Sequence, residues 1–182
     1  MCSSDLKQSV LGTNPIAFGV PGEPHPLLLD MATSATNNGD VILARRLNQL
    51  LPEGVAIDRE GHPTRNPVAA LAGSILTFGG HKGFGLSLMT QAMGLMAGTP
   101  ITEGRMADFG FLFVVFDPQL LMPLAQFKQY LAQLVAEVKA TPLQPGVSEI
   151  RIPSERAFVE RERRRVTGVA LNPRIYEQLQ RL

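Results

Sequence analysis

The alternation of apolar and polar positions predicts short strands and helices along the first third of the chain. Apolar runs at 16–20 and 27–30 flank a Pro-Gly-Glu-Pro turn, a pattern typical of a hairpin of buried strands. A helical pattern then begins after Asp40, its predicted N-cap, and ends before Pro52. Residues 54–67 are rich in Gly, Pro and charged side chains, which favours a loop.

The middle of the chain carries its most apolar segments. Asn66-Pro67 predicts the N-cap and first residue of a short helix, and the run 74–78 predicts a strand. The helical pattern from about 84 to 97 is apolar on nearly every side, so it predicts a helix that is covered all round. The continuous aromatic and β-branched run 111–116 predicts a fully buried central strand.

The last third of the chain predicts helices. Pro123 opens a run of apolar residues at helical spacing, and 141–147 has the Pro and Gly of a linker. Ser154 is the predicted N-cap of a charged helix that stops near Gly168, and a last helix starts at Asn172-Pro173. Because strands and helices alternate without a regular βαβ order, we expect an α/β fold with a layered mixed, largely antiparallel sheet flanked by helices.

Composition and charge narrow the classes of function. The chain has 182 residues, enough for one domain with a sizeable core, and a net charge of +1, which gives no general basic field for nucleic acid. Its single cysteine, Cys2, excludes an internal disulfide and indicates a reducing compartment. There is no secretory signal and no apolar stretch of the ~20 residues that a membrane span needs. We therefore expect a soluble, cytoplasmic protein without a nucleic-acid or membrane partner.

The segment Gly79-Gly80-His81-Lys82-Gly83 follows a predicted strand and precedes a predicted helix. Glycines permit positive φ and close approach of a ligand, a helix N-terminus attracts anions, and Lys82 adds a positive charge, so a cofactor phosphate is the expected guest. Neither the nucleotide triphosphatase loop nor the dinucleotide fingerprint fits this spacing. Two alternatives stay open: Gly80 to Gly83 matches the Gly-x-x-Gly clamp of KH modules, or the turn is a plain structural corner with a solvated lysine.

Asp30 is a second candidate for chemistry. It ends an apolar strand and is followed closely by Thr33 and Ser34, and strand ends are where ligands bind in α/β sheets. Alternatively, Asp30 caps a following helix. The three histidines, His25, His62 and His81, are not spaced as metal ligands, so we expect no metal site. Of the three, only His81 belongs to the glycine segment.

Four motifs in order resemble the malate/L-lactate dehydrogenase family of NAD(P)-dependent oxidoreductases, a group outside the Rossmann fold. They are Leu-Gly-Thr-Asn-Pro-Ile at 11–16, Leu-Asp-Met-Ala-Thr-Ser at 29–34, the Leu-Pro-Glu-Gly segment from 51 to 64, and the glycine segment at 79–83. The resemblance extends from Leu11 to about Arg156 and more loosely through the C-terminal helices. It implies hydride transfer between NAD or NADP and a small 2-keto acid, 2-hydroxy acid or related imino acid, in a homodimer.

The resemblance also implies where the cofactor binds. The family's contacts fall on Leu29, Asp30, Met31 and Ala32, on the glycine segment at His81, Lys82 and Gly83, and on a segment that here contains Ser154 and Glu155. In that last segment the family usually has a glycine followed by an acidic residue, whereas this chain has Ser154-Glu155-Arg156. Asp30 is also the one catalytic candidate, as a residue that orients or electrostatically supports a general acid.

Family members are about twice as long, and their proton-donor histidine lies in a Ser-His-Gly motif within an N-terminal half. We therefore expect a C-terminal fragment in which 1–10 is a non-family N-terminus, 11–140 is part of the cofactor-binding α/β domain, and 141–182 is a helical segment of a second, incomplete domain. An alternative is a non-catalytic subunit that binds a nucleotide cofactor or acts as a scaffold.

Overall fold

The computed structural model of the chain describes residues 10–98 and 110–181. These residues form a mixed α/β fold with two small two-stranded sheets, one of β1 and β2 and one in which β3 and β4 are antiparallel, so the predicted fold class is confirmed. In chain order the elements are β1 (Ile16–Val20), β2 (Leu27–Met31), α1 (Asn38–Leu47), β3 (Ala56–Ile57), α2 (Pro67–Ala72), β4 (Ser74–Ile75), α3 (His81–Met96), a 3-10 turn (Pro118–Leu120), α4 (Leu124–Ala140), α5 (Glu155–Thr167) and α6 (Pro173–Leu179).

The chain divides into two compact units. Among the described residues, the first unit contains 10–16, 30–98 and 110–114, and the second contains 17–29 and 115–181. The domain boundaries expected from the resemblance, after residues 10 and 140, stay a prediction.

The hydrophobic core of the first unit is small and lies where α1, α2 and β3 meet. Its buried residues are Val41, Leu51, Val55, Ala56 and Ala70. Asn66 caps α2 as predicted: its Oδ1 accepts a hydrogen bond from Val68 N at 2.8 Å, and Pro67 occupies the first turn. This core therefore provides a fixed support for the glycine segment.

Several boundaries of helices and strands differ from the sequence prediction. The N-cap of α1 is Asn37 and not Asp40, because the Asn37 side chain accepts a hydrogen bond from Asp40 N at 2.7 Å and the helix starts at Asn38. Helix α1 ends at Asn48, whose φ is 55°, so it stops before the expected Pro52. The expected loop at 54–67 contains β3, whose two residues are too few to show a period of two in the sequence.

The prediction of a buried central strand at 111–116 is wrong. This segment has no strand assignment, and its apolar side chains are between 42% and 91% exposed. An apolar run becomes a strand only when a neighbouring backbone pairs with it, and no strand among the described residues does so. The residues before it, from 99 to 109, lie outside the described part of the chain.

Helix α3 is also less covered than its composition predicts. Met89 is 61% exposed and Met96 80% exposed, and its only buried residues are Gly83 and Ser87. The β1 and β2 strands form as predicted but are not buried, since Phe18 is 60% exposed. The hydrophobic pattern therefore identified these elements but not their burial.

The second unit contains helices α4, α5 and α6 together with residues 17–20 of β1 and 27–29 of β2. Helix α5 begins after Ser154 and ends at Gly168 with a φ of 79°, and α6 is capped by Asn172, both as predicted. Glu160 pairs with Arg163 and Arg164 along the exposed face of α5. None of the described helices has the length and apolar character that a membrane span requires.

Candidate functional site

The glycine segment forms a turn that leads directly into α3. Gly79 and Gly80 have φ values of 57° and 60°, the left-handed region in which glycine carries no side-chain penalty. Helix α3 begins at His81, about three residues earlier than predicted, so His81, Lys82 and Gly83 form its first turn. No side chain caps this helix, and its first N–H groups point along the axis as potential anion donors.

Gly83 is required by a close backbone contact and not by its φ. A Cβ atom at this position would lie 1.8 Å from the carbonyl oxygen of Phe78. The first turn of α3 therefore packs directly against the backbone of the preceding turn. This contact fixes where the helix N-terminus lies relative to Gly79 and Gly80.

The Thr33-Ser34 end of the Leu-Asp-Met-Ala-Thr-Ser motif lies beside this turn within the first unit. Ala35 N donates to Leu76 O at 2.8 Å, and Phe78 N donates to Thr33 O at 3.2 Å. These two bonds enclose an antiparallel pair of Ser34 with Thr77. In such a non-hydrogen-bonded pair the two side chains share one face with Cβ atoms about 5 Å apart.

Ser34 supplies a buried hydroxyl without a partner. The residue is 6% exposed, and its Oγ has no hydrogen-bond partner among the described residues, whereas the neighbouring Thr77 hydroxyl donates to Gly80 O at 2.9 Å. A buried hydroxyl left unpaired costs about 1–3 kcal/mol. A water molecule or a ligand oxygen beneath the glycine turn would remove this cost.

The charged side chains at the site are exposed. Asp30 lies in β2, and within residues 10–98 and 110–181 neither it nor His81 nor Lys82 has an ion pair or a side-chain hydrogen bond. The interpretation of Asp30 as a helix cap is wrong, since α1 is capped by Asn37. Met31 and Ala32 are half-buried beside Asp30.

The remaining predicted contacts, Leu29, Ser154 and Glu155, lie in the second unit. Ser154 stands at the N-cap of α5 as predicted, but it has a φ of 62° and its hydroxyl donates to Leu28 O at 2.8 Å instead of capping the helix. This bond places Ser154 beside β2, in which Leu29 is 38% exposed. The Glu155 carboxylate also has a partner, because it pairs with Lys139, and this pairing lowers the pKa of Glu155.

Sequence reasoning missed a polar contact that joins the first motif to α3. The Asn14 side chain donates to Ser87 O at 3.0 Å and to Ser87 Oγ at 3.1 Å, across 73 positions in sequence. Thr33 Oγ1 in turn contacts Thr13 O at 3.0 Å and Asn14 O at 2.9 Å. The Thr13-Asn14 pair of the first motif was the only sequence signal for this contact. The sequence spacing does not indicate that Ser87 is the partner of Asn14.

A nucleic-acid clamp and a metal site both find less support than an anion site. Gly80 and Gly83 follow a strand and begin α3, so they do not form the loop between two helices that a KH clamp requires. Among the described residues, no three His, Cys, Asp or Glu side chains cluster as a metal site. His25 stacks on Phe158 with ring centroids 4.5 Å apart, and His62 lies 3.7 Å from Asp58.

Residues 2–180 match the family model described as malate/L-lactate dehydrogenase, and the chain belongs to this family. The match also includes residues 2–10, for which the sequence suggested no relation. The family lies outside the Rossmann group, in agreement with the small antiparallel sheets.

Relatives of known name support this assignment. Malate/(S)-sulfolactate dehydrogenase of Methanothermus fervidus is 33% identical over 97% of this chain and 53% of its own length. Delta(1)-pyrroline-2-carboxylate reductase of Ancylobacter novellus is 40% identical over 95% of this chain and 53% of its own length. The chain thus spans about half the length of these relatives.

Two solved structures likewise match nearly all of this chain and about half of their own length. Sulfolactate dehydrogenase from Methanocaldococcus jannaschii matches with a TM-score of 0.76 and 31% identity, over 98% of this chain and 54% of that one. Malate dehydrogenase from Pyrococcus horikoshii OT3 matches with a TM-score of 0.79 and 29% identity, over 99% of this chain and 53% of that one.

Proposed function

We propose that this chain is part of an NAD(P)-dependent oxidoreductase that transfers a hydride between the cofactor and a small 2-keto or 2-hydroxy acid. Family membership supports the proposal, and so do the names of the relatives. Malate and sulfolactate carry a hydroxyl, and pyrroline-2-carboxylate a C=N bond, at the carbon next to a carboxylate. Reduction or oxidation at that carbon is the chemistry these compounds share.

The observation that carries the proposal is the N-terminus of α3. It combines uncapped N–H groups, two glycines of positive φ and a lysine without an ion pair among the described residues. The partial positive charge of a helix N-terminus stabilises an anion by about 0.3–1 kcal/mol, and a hydrogen bond to a charged group adds about 1.5–3 kcal/mol. Together these groups suit a cofactor phosphate better than any other described part of the chain.

The residues fit the expected group in chemistry as well as in charge. We propose that His81, Lys82 and the Gly83 N–H hold phosphate, and that the Ser34 hydroxyl is satisfied by a water or a cofactor oxygen beneath the turn. We propose that Asp30, Met31 and Ala32 contact the cofactor along the chain that leads to Ser34. The bound nicotinamide ring supplies or accepts the hydride.

We propose a supporting role for the second-unit residues. The Ser154 hydroxyl holds the Leu28 carbonyl and so orders the backbone that leads to Leu29. The Glu155 carboxylate is held by its ion pair with Lys139, also within the second unit. In this proposal the two side chains shape the backbone near Leu29, and neither donates directly to phosphate.

For catalysis, we propose that the Asp30 carboxylate stabilises or orients a positively charged group near the reacting centre. This carboxylate is exposed in β2 and is therefore accessible to such a group. The family's Ser-His-Gly motif does not occur in this sequence, so we assign no proton donor among its residues. A homodimer and a cytoplasmic location follow from the resemblance and belong to the same proposal.

Binding is tested by titrating the folded chain with NADH and with NADPH and recording the fluorescence of the nicotinamide. Lys82→Ala should weaken binding about tenfold or more, the loss expected for one charged hydrogen bond. Lys128→Ala is the matched control, because it removes the same charge from an exposed ion pair with Glu23. Unchanged emission with the parent chain, or equal affinity in both variants, would contradict the proposal.

A second candidate is a subunit that binds the cofactor without catalysis. The two candidates differ in turnover. Oxidation of NADH or NADPH with a panel of 2-keto acids and a cyclic imino acid supports the enzyme. Tight cofactor binding with no turnover of any of them supports the non-catalytic subunit.

A further inference from the structure

A closed ring of hydrogen bonds surrounds the glycine turn. It runs from Phe78 N to Thr33 O at 3.2 Å, from Thr33 Oγ1 to Asn14 O at 2.9 Å, and from Asn14 Nδ2 to Ser87 O at 3.0 Å. The backbone from Phe78 through the first two turns of α3 to Ser87 completes the ring. Thr33 and Ser87 are both fully buried, whereas Asn14 and Phe78 are half-buried.

The chemistry of the ring fixes the orientation of the Asn14 amide. Ser87 O is a carbonyl and can only accept, so the group that faces it must be the NH2 of Asn14 and not its oxygen. The same NH2 reaches Ser87 Oγ at 3.1 Å. Asn14 also has a φ of 39°, a positive value that asparagine adopts more readily than most residues other than glycine.

The ring holds α3 at two points. Gly83 packs against Phe78 O at the first turn, and Asn14 anchors Ser87 one turn later. With only the first contact the helix could pivot about Gly83, because most of its other side chains are exposed. The second contact, from the segment before β1 that Thr33 also holds, prevents this rotation.

We propose that Asn14 is a positioning residue that fixes the direction of the α3 N-terminus and thereby sets the affinity of the site for cofactor phosphate. The inference rests on the proposed function for its effect on binding. Its structural part stands independently, since the ring is built from contacts within the first unit. Among the described residues, the hydrogen bonds of Asn14 given above go to Ser87 and Thr33 and not to the turn or Lys82.

The test compares four variants of the full chain. Asn14→Asp removes both donors and places a carboxylate against Ser87 O, and Asn14→Gly removes the side chain while relieving the positive φ. Ser87→Ala leaves the main-chain acceptor in place. Asn48→Asp is the matched control, because Asn48 has a φ of 55° at the end of α1 and lies outside the ring.

Two measurements are made on each variant: cofactor affinity by fluorescence, and amide hydrogen exchange at Phe78 and Phe84 relative to Gly73 of the core. Both Asn14 variants should lose about tenfold in affinity, the scale of one lost hydrogen bond, and Ser87→Ala should lose less. Exchange should quicken at Phe78 and Phe84 but not at Gly73, whose N–H bonds to Ala69 O at 2.8 Å. The Asn48 variant should match the parent chain in both measurements.

The outcomes separate this inference from the proposed function. If the parent chain binds cofactor and the Asn14 variants bind equally well, the inference is overturned and the proposed function stands. If the parent chain binds no cofactor, the proposed function fails, and the exchange data alone decide whether Asn14 positions α3. Exchange that rises equally at Phe78 and Gly73 would show a general loss of stability and would overturn the inference.

Discussion

Two glycines in α3 allow the same substitution to be tested with opposite expected signs. At Gly83 an added Cβ would lie 1.8 Å from Phe78 O, whereas at Gly85 it would meet no atom within 4 Å. Real Cβ contacts are at least 3.0 Å, so Gly83→Ala must separate the helix and the turn by about 1.2 Å. Both atoms in the clash belong to the main chain, or are fixed to it, and neither can rotate away.

The free energies follow from these distances. Overpacking of this kind costs about 1–3 kcal/mol, and here the upper end applies because the backbone must move. Alanine is favoured over glycine within a helix by about 0.5–1 kcal/mol, which offsets part of this cost. We expect Gly83→Ala to lower the free energy of unfolding by about 2 kcal/mol, and Gly85→Ala to raise it by about 0.5–1 kcal/mol.

The assay is urea unfolding of each variant, followed by far-ultraviolet circular dichroism. The midpoint should fall for Gly83→Ala and rise for Gly85→Ala. Because the first turn moves, Gly83→Ala should also weaken NAD(P)H binding, whereas Gly85→Ala should not. Equal stability of the two variants would show that α3 does not pack on the Phe78 carbonyl and would refute the reasoning about the site.

Three further predictions concern the two compact units. Leu51→Ala should lower the free energy of unfolding by about 2–5 kcal/mol, because Leu51 is 2% exposed in the core, and urea unfolding measures the loss. Asn66→Ala should cost about 1 kcal/mol in the same assay through loss of the α2 cap, and a change below the error of the fit would contradict it. The guanidinium groups of Arg163 and Arg164 lower the pKa of Glu160 from 4.5 to about 2. Its ion pairs should therefore be complete above pH 4.5 and lost as the pH falls through about 2, and an NMR titration of the carboxyl with a midpoint near 4.5 would contradict this.

The sequence predicted the local features whose causes are local. Asn66-Pro67, Gly168 and Asn172-Pro173 act on backbone groups within a few residues, and each is found at the helix end it predicted. The order of strand, glycine turn and helix around Lys82 was also predicted, although their exact ends were not. These signals depend on φ preferences and short-range hydrogen bonds that no distant contact has to supply.

Features that depend on distant partners could not be predicted in this way. The run 111–116 has the composition of a buried strand, but a strand also needs a neighbour, and composition does not name one. The sequence pattern places the start of α3 too late because Gly83 resembles part of a loop, whereas its lack of a side chain serves contact with Phe78. Likewise, the bond from Asn14 to Ser87 joins positions that no periodicity connects.

The most direct test of the central claim is a crystal structure of the chain with NADH or NADPH bound. The account predicts phosphate density at the N-terminus of α3, within hydrogen-bond distance of the first-turn N–H groups and the Lys82 ammonium. Clear cofactor density elsewhere on the protein, with the turn at Gly79 to Gly83 holding no phosphate, would contradict it.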